Sequence, residues 1–395
     1  MTKPTEKKTG WRRSNAAMCA VMLVLCALLC LLPEQYENAS THIPRERVRI
    51  DEVDNSGLYP VGIVYSGVQS CRVTVLSGEH SGEAVWASNY LNSALDKDKL
   101  YAPGDVAHAM VQGGAQHLTV TLIDHDRTGV EAGILFALSA LLILYGGVTG
   151  CGALISLAAS AIVVWKLLLP LLLRGVDPVA AAFVAVVALT VMIDVLVAGL
   201  TRKTLIAILG SLTGTAVTGV LSIVLTDALR LDGGDIAYIV PLLSQSFMTL
   251  NAKSLYCGMI FIANSGALMD LSMDIAASCQ EVVYHRPEVS RGELLRSGIR
   301  LGRSVLGTMT TTLMLAYSGN YLSMLMYFMG QGTPLRDIVN LKYVASPLLN
   351  TLVGSFGLVA AAPLTALIAS LLLVPRASGA ECPPEFSAVE TGERT

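Results

Sequence analysis

The sequence predicts an α-helical integral membrane protein of about eight spans, with a small β-rich extracytoplasmic domain after the first span. Three observations lead there. Of the 395 residues, 53% are hydrophobic and only 14% are charged, whereas soluble domains carry about 25% charged residues. Apolar runs long enough to cross a bilayer recur along the chain. Between the first and the second of them lies a hydrophilic stretch rich in Gly, Asp and Asn. Its runs VGIVYSGV, CRVTVL and HLTVTLID have strand character and are separated by turn residues.

In chain order, residues 1–33 form a basic cytoplasmic N-terminus and a signal-anchor helix. Arg12 and Arg13 precede an unbroken apolar run from Ala16 to Leu32, and no small-x-small cleavage pattern stands before Pro33. Residues 34–130 form the β-rich domain. Residues 131–374 form a seven-helix membrane domain with spans near 132–149, 151–173, 178–199, 204–226, 253–283, 304–329 and 344–374. The piece Ile236 to Leu250 is interrupted by Pro241 and is expected to be re-entrant or interfacial. Residues 375–395, rich in Pro, Glu and Ser, form a disordered cytoplasmic tail.

Lys and Arg in short loops set orientation. With the N-terminus inside and residues 34–130 outside, successive crossings bring Arg202 and Lys203 inside, followed by the basic loop of Arg286, Arg291, Arg296, Arg300 and Arg303. Both termini are then cytoplasmic. A net charge of −3 supports neither nucleic-acid binding nor a polybasic lipid clamp.

Chemistry concentrates in the run Lys253 to Val283. Asp270 and Asp274 are four residues apart, so on a helix their directions differ by about 40°, and Glu281 returns to the same face. A carboxylate at the bilayer centre costs roughly 2.5–3.5 kcal/mol on insertion scales, which directs such residues to a bundle interior or a wet cavity. Two neighbouring carboxyls can share a proton or bind a cation. They can also serve packing alone, by bonding to Ser or Thr of adjacent helices. Asp194, in the apolar context VMIDVLVAGL, is a third intramembrane acid, and Thr308, Thr311 and Thr312 offer uncharged oxygen ligands nearby.

Other chemistries find little support. Eight cysteines make no C-x-x-C pair, and only Cys71 lies in the hydrophilic region, which excludes an internal disulfide there. Five histidines, His42, His80, His108, His117 and His125, fall in the outer region without i, i+4 or H-x-H spacing, so whether any metal is bound stays open. No phosphate loop, dinucleotide fingerprint, nucleophile triad or zinc-protease helix is present. Neither a cofactor nor a catalytic residue is expected.

In the fifth run of the membrane domain counted with the anchor, Gly210, Gly214, Thr218 and Ser222 recur every four residues. Ser304, Gly307, Thr311 and Ser318 form a similar stripe further on. Small residues at that spacing predict close helix contacts.

The blocks GALMDLSMDIAASCQEV, HRPEVSRGELLRSGIRLGR and GTMTTTLMLAYSGN, with LSGEHSGEAVWASNYL in the outer domain and the TRKT step at 201–204, resemble the YibE/F-like family of bacterial membrane proteins. The resemblance runs from about Tyr59 to Leu373 and is densest between Gly266 and Gly319. It implies a multi-pass protein with an extracytoplasmic domain and brings no established activity. Where the family's T-N-T run has Asn, this chain has Thr311.

The expected function is a membrane permease or channel-like transporter for an ion or small polar solute, using the intramembrane carboxylates. The alternative is a non-catalytic scaffold or sensor whose outer domain binds a partner. Aspartyl hydrolysis would need carboxyls about 3 Å apart on different helices, and no G-x-G-D motif is present. Expected partners are the lipid bilayer, the solute, and a second copy or a sister membrane subunit.

Overall fold

The computed structural model describes residues 44–374 except 115–116 and 245–249, together with Val24, Ala27, Leu28 and Leu31. The expected anchor therefore falls almost wholly outside the described residues, and the tail 375–395 entirely so. The chain divides into two compact units, Pro33–Tyr145 and Gly146–Thr395, the second also containing Met1–Leu32.

In the first unit, strands β1 (Arg45–Asp54), β2 (Leu58–Val61), β3 (Val64–Val75), β4 (Ala84–Asn92), β5 (Val106–Gly114) and β6 (His117–His125) pair in the order β1-β5-β6-β4-β3-β2. An additional β1–β3 pairing closes five of them into a ring, and β2 extends β3 as a hairpin arm. All ladders are antiparallel except β4–β6, which is parallel. The result is a five-stranded Greek-key barrel of the OB type. Alternation explains it: Val48, Ile50, Cys71, Val73, Val75, Ala107, Ala109 and Val120 point inward as the core, while Trp86 and Tyr90 of β4 point out. Buried amides fix the register at one end. Gln69 Nε2 donates to Asn55 Oδ1 (2.8 Å), and Asn89 Nδ2 donates to Gln69 Oε1 (3.0 Å). Burial pushes the Cys71 thiol up to about 11, so it acts as a small apolar core residue.

Seven long helices follow: α1 (Thr128–Gly147), α2 (Thr149–Leu173), α3 (Pro178–Ala198), α4 (Arg202–Ala228), α5 (Ala252–His285), α6 (Arg291–Ser318) and α7 (Lys342–Leu373). Side-chain caps start four of them. Asp177, Thr201 and Asn251 accept from backbone N–H groups at the heads of α3, α4 and α5, and Ser290 with Glu293 makes a reciprocal capping box on α6.

Two expectations are corrected. Among the described residues six helices, α1–α5 and α7, are long and apolar enough to cross a membrane, fewer than about eight. The barrel precedes the first of these six rather than following a span. The missing apolar span is 304–329. Its helix begins thirteen residues earlier, at Arg291, and carries Arg296, Arg300 and Arg303. It then breaks after Ser318 at a turn, Gly319–Tyr321, before a short helix, Leu322–Gly330. Within the piece expected to be re-entrant, the described part holds only the six-residue helix Ile239–Ser244, too short to cross.

The centre of the second unit is a seam of small residues. A Cβ at Gly214 would stand 2.7 Å from that of Ala361, and one at Gly357 would collide with Thr218. Gly210, Gly214, Thr218 and Ser222, the predicted four-residue repeat, are all buried along α4, and the first three meet α7. Helices α5 and α7 run parallel. Tyr256 Oη donates to the Ser346 carbonyl (2.7 Å), Asn264 Nδ2 donates to Asn350 Oδ1 (2.8 Å), and the Ser272 and Thr365 hydroxyls meet at 3.2 Å. Antiparallel to both lies α6, with Gly298 against Ala366 and Cys279, and Gly302 against Ala362 and Ile275.

Candidate functional site

Helix α3 rests on α5 through Ala182, Val186 and Phe261. Here the backbones approach closely, because a Cβ at Gly258 would lie 3.1 Å from the Ala182 Cβ. The two helices run parallel, so a step of twelve residues from that contact reaches Asp194 on α3 and Asp270 on α5. These two acids are near enough to interact electrostatically. Two of the sequence-predicted acids from different helices are thereby brought together, with Asp274 one turn beyond, interacting with Asp270.

The surroundings of the acids differ. Asp270 and Asp274 lie on the exposed face of α5, as does Glu281. The periodicity argument thus places three acids on one stripe, but they do not close into a cluster. Among the described residues no group of three or more His, Cys, Asp and Glu is arranged to hold a metal ion. Glu281 lies nearer the end of α5, 4.0 Å from His285 Nε2.

Asp194 is 3% exposed, and its Oδ2 has no hydrogen-bond partner. One turn earlier on the same face, Thr190 is 1% exposed and its Oγ1 also lacks a partner. Among the described residues of the helical unit, Ser346 Oγ on α7 is the other buried hydroxyl in this state. The buried hydroxyls of Ser211, Thr215, Thr218, Ser222 and Thr365 each donate to a carbonyl three or four residues back on their own helix. A buried polar atom without a partner costs about 1–3 kcal/mol, and here two such atoms lie one helical turn apart on the same helix. At the same level of the parallel register, Gly266 lies on the exposed face of α5, where a Cβ would meet nothing within 4 Å.

The threonines of α6 behave otherwise. Thr308, Thr311 and Thr312 are exposed, and their hydroxyls donate to the carbonyls of Val305, Gly307 and Thr308 at 2.9 Å. They are not brought to the acids by any recorded hydrogen bond. Sequence reasoning missed Thr190, although its signal was readable as a hydroxyl four residues before an intramembrane acid. It also missed the polar bridge of Asn264 and Asn350, which Tyr317 joins by donating to Asn264 Oδ1 at 3.4 Å.

Six apolar helices of spanning length, packed through small-residue seams, define a multi-pass membrane protein. The YibE/F-like protein family matches residues 134–375, and the chain belongs to that family. The match leaves out the barrel, so the LSGEHSGEAVWASNYL block lies outside it. No curated protein and no solved structure matches the chain.

Proposed function

We propose that the protein is a permease or channel-like transporter for an ion or small polar solute, whose route follows the acid face of α5 and the α3–α5 interface. The observation that carries this reading is the Asp194 carboxylate, buried against α5 with an oxygen left without a partner while Asp270 stands at the open flank. A merely structural acid is expected to be saturated by protein donors. Asp270, Asp274 and Asp194 are the residues of the route, with Glu281 toward its end. Thr308, Thr311 and Thr312 contribute only a polar lining, because they stand exposed on α6 and make no hydrogen bond to the acids. No enzymatic step is assigned.

Exposed carboxylates on a membrane helix call for water or another chain beside them. A second copy or a sister subunit covering α5 and α6 fits this need. For orientation, Arg202, Lys203, Arg286 and Arg291 gather at one end of the helical unit, which the positive-inside rule assigns to the cytoplasm. Residues 34–130 are then extracytoplasmic.

The test is gradient-driven flux in proteoliposomes. Asp194→Asn and Asp270→Asn each reduce flux by at least about tenfold while leaving monodisperse protein in the membrane. Undiminished flux in both variants ends the reading. The scaffold or sensor alternative is favoured by one observation, the exposed Trp86 and Tyr90 on the barrel. It predicts that partner binding is lost, and flux never seen, on deletion of residues 44–125.

A further inference from the structure

We propose that Thr190 and Asp194, with the open flank of α5 at Gly266 and Asp270, form a binding site for a dehydrated monovalent cation, Na+ being the ion its chemistry fits. The inference rests on the reading of this interface as a solute route and names the ion that uses it.

Three observations converge on the site. Both unsatisfied atoms, Thr190 Oγ1 and Asp194 Oδ2, are oxygens, one neutral and one charged, and neither is reachable from open solvent. Hard cations prefer such a set, replacing hydration oxygens with carboxylate and hydroxyl oxygens. The Thr190 hydroxyl is also free of the intrahelical bond that engages its counterparts on α4 and α7. With no partner at all, both its O–H and its lone pairs are unengaged.

Charge selects the valence. One acid is buried, so one positive charge neutralises the site. A divalent ion would need a second converging carboxylate, and Asp270 is on the exposed side of α5. There it serves as the mouth of the site, drawing the cation from water toward Asp194. Gly266, on the same exposed face one turn before Asp270, leaves that flank of α5 uncovered, with nothing within 4 Å of where a Cβ would stand.

The experiment is equilibrium binding of radioactive 22Na+ to the full-length protein in detergent, with K+ and Ca2+ as competitors. Saturable binding is expected, weakened at least about tenfold by Thr190→Val and by Asp194→Asn. Thr190→Ser, which keeps the hydroxyl, is expected to bind within about twofold of the parent, a rescue that a packing role for the Thr190 methyl would not give. Absence of saturable binding by the parent overturns the proposal. So does binding that survives both Thr190→Val and Asp194→Asn, or that Ca2+ displaces more effectively than K+. If Na+ fails to bind yet flux is still lost in Asp270→Asn, the route stands and this ion is removed from it. If Na+ binds as expected and no gradient drives flux, the site stands without the route.

Discussion

Asp126, at the junction of β6 and α1, shows how much one side chain can carry. Its carboxylate accepts the Thr128 N–H at 3.0 Å and pairs with Arg47 at 2.6 Å and His108 at 3.4 Å. The bonds from Thr128 first, and the Arg47 guanidinium after them, hold its carboxyl down at about 2, against about 3.9 in an unfolded chain. A depressed folded value means that the stabilisation is complete above the unfolded pKa and is lost as pH falls through the folded one. The barrel should therefore weaken between about pH 4 and pH 2, and Asp126→Asn should be less stable at neutral pH with a flatter acid profile. Urea unfolding followed at Trp86, with Trp11 and Trp165 replaced by Phe, measures this, and an unchanged acid profile in Asp126→Asn refutes it. Arg47 and His108 were not readable as partners from the chain, because each is distant from Asp126 in sequence and meets it only once the barrel closes. Asp194 teaches the same lesson. Its helix is apolar on every side, so periodicity could name it as an intramembrane acid but could not say that it, and not Asp270, is the deeply buried one.

At the scale of the element, apolar length was legible and helix pairing only in part. The observed α2 spans Thr149–Leu173 and α5 spans Ala252–His285, within two residues at each end of what hydropathy alone marks. The stretch 304–329 misled because its apolar half hides a helix that begins in the arginine-rich loop. The capping box at Ser290 and Glu293 was present in the sequence and marks the true start. The four-residue repeat of small residues on α4 was readable, whereas its partner surface on α7 was not, since nothing local says which helix answers it. The contact of α7 with α5 beside it supports a sharp prediction. A side chain at Gly354 would collide with the Asn264 carboxamide, whose amide nitrogen holds Asn350. Gly354→Val should destabilise the helical unit by at least about 1–3 kcal/mol, the range for overpacking a tight core. Gly307→Val, on an open face where a Cβ meets nothing, should be nearly neutral. Thermal midpoints by size-exclusion chromatography in detergent compare the two, and equal losses would mean that the seam is loose.

For the whole molecule, the directions of the helices and the positions of the charges bear on one question, which side of the helical unit faces the cytoplasm. Helices α5 and α7 point the same way and α6 returns between them. The end of α5 at Arg286 therefore lies beside the end of α7, where Arg291 Nε donates to the Val374 carbonyl at 3.0 Å. Because α4 is antiparallel to α5, Arg202 and Lys203 belong to this same end. At the opposite end the lysines are held by aspartates, Lys253 by Asp227 and Lys342 by Asp232 at 2.6 Å. Clustering of Lys and Arg in the short connections at Arg202 and Arg286 is the pattern retained in the cytoplasm. With the barrel outside, as proposed, crossings by α1, α2 and α3 are consistent with this assignment. In a cysteine-free background, a cysteine at Glu288 should thus resist a membrane-impermeant maleimide applied to intact cells and react once the membrane is opened. A cysteine at Gly234, beside the paired lysines, should react in intact cells. The reverse pattern would invert the chain and place the arginines where the rule forbids them. It would also put the mouth at Asp270 under the opposite gradient, so this measurement decides the direction in which any flux should be sought.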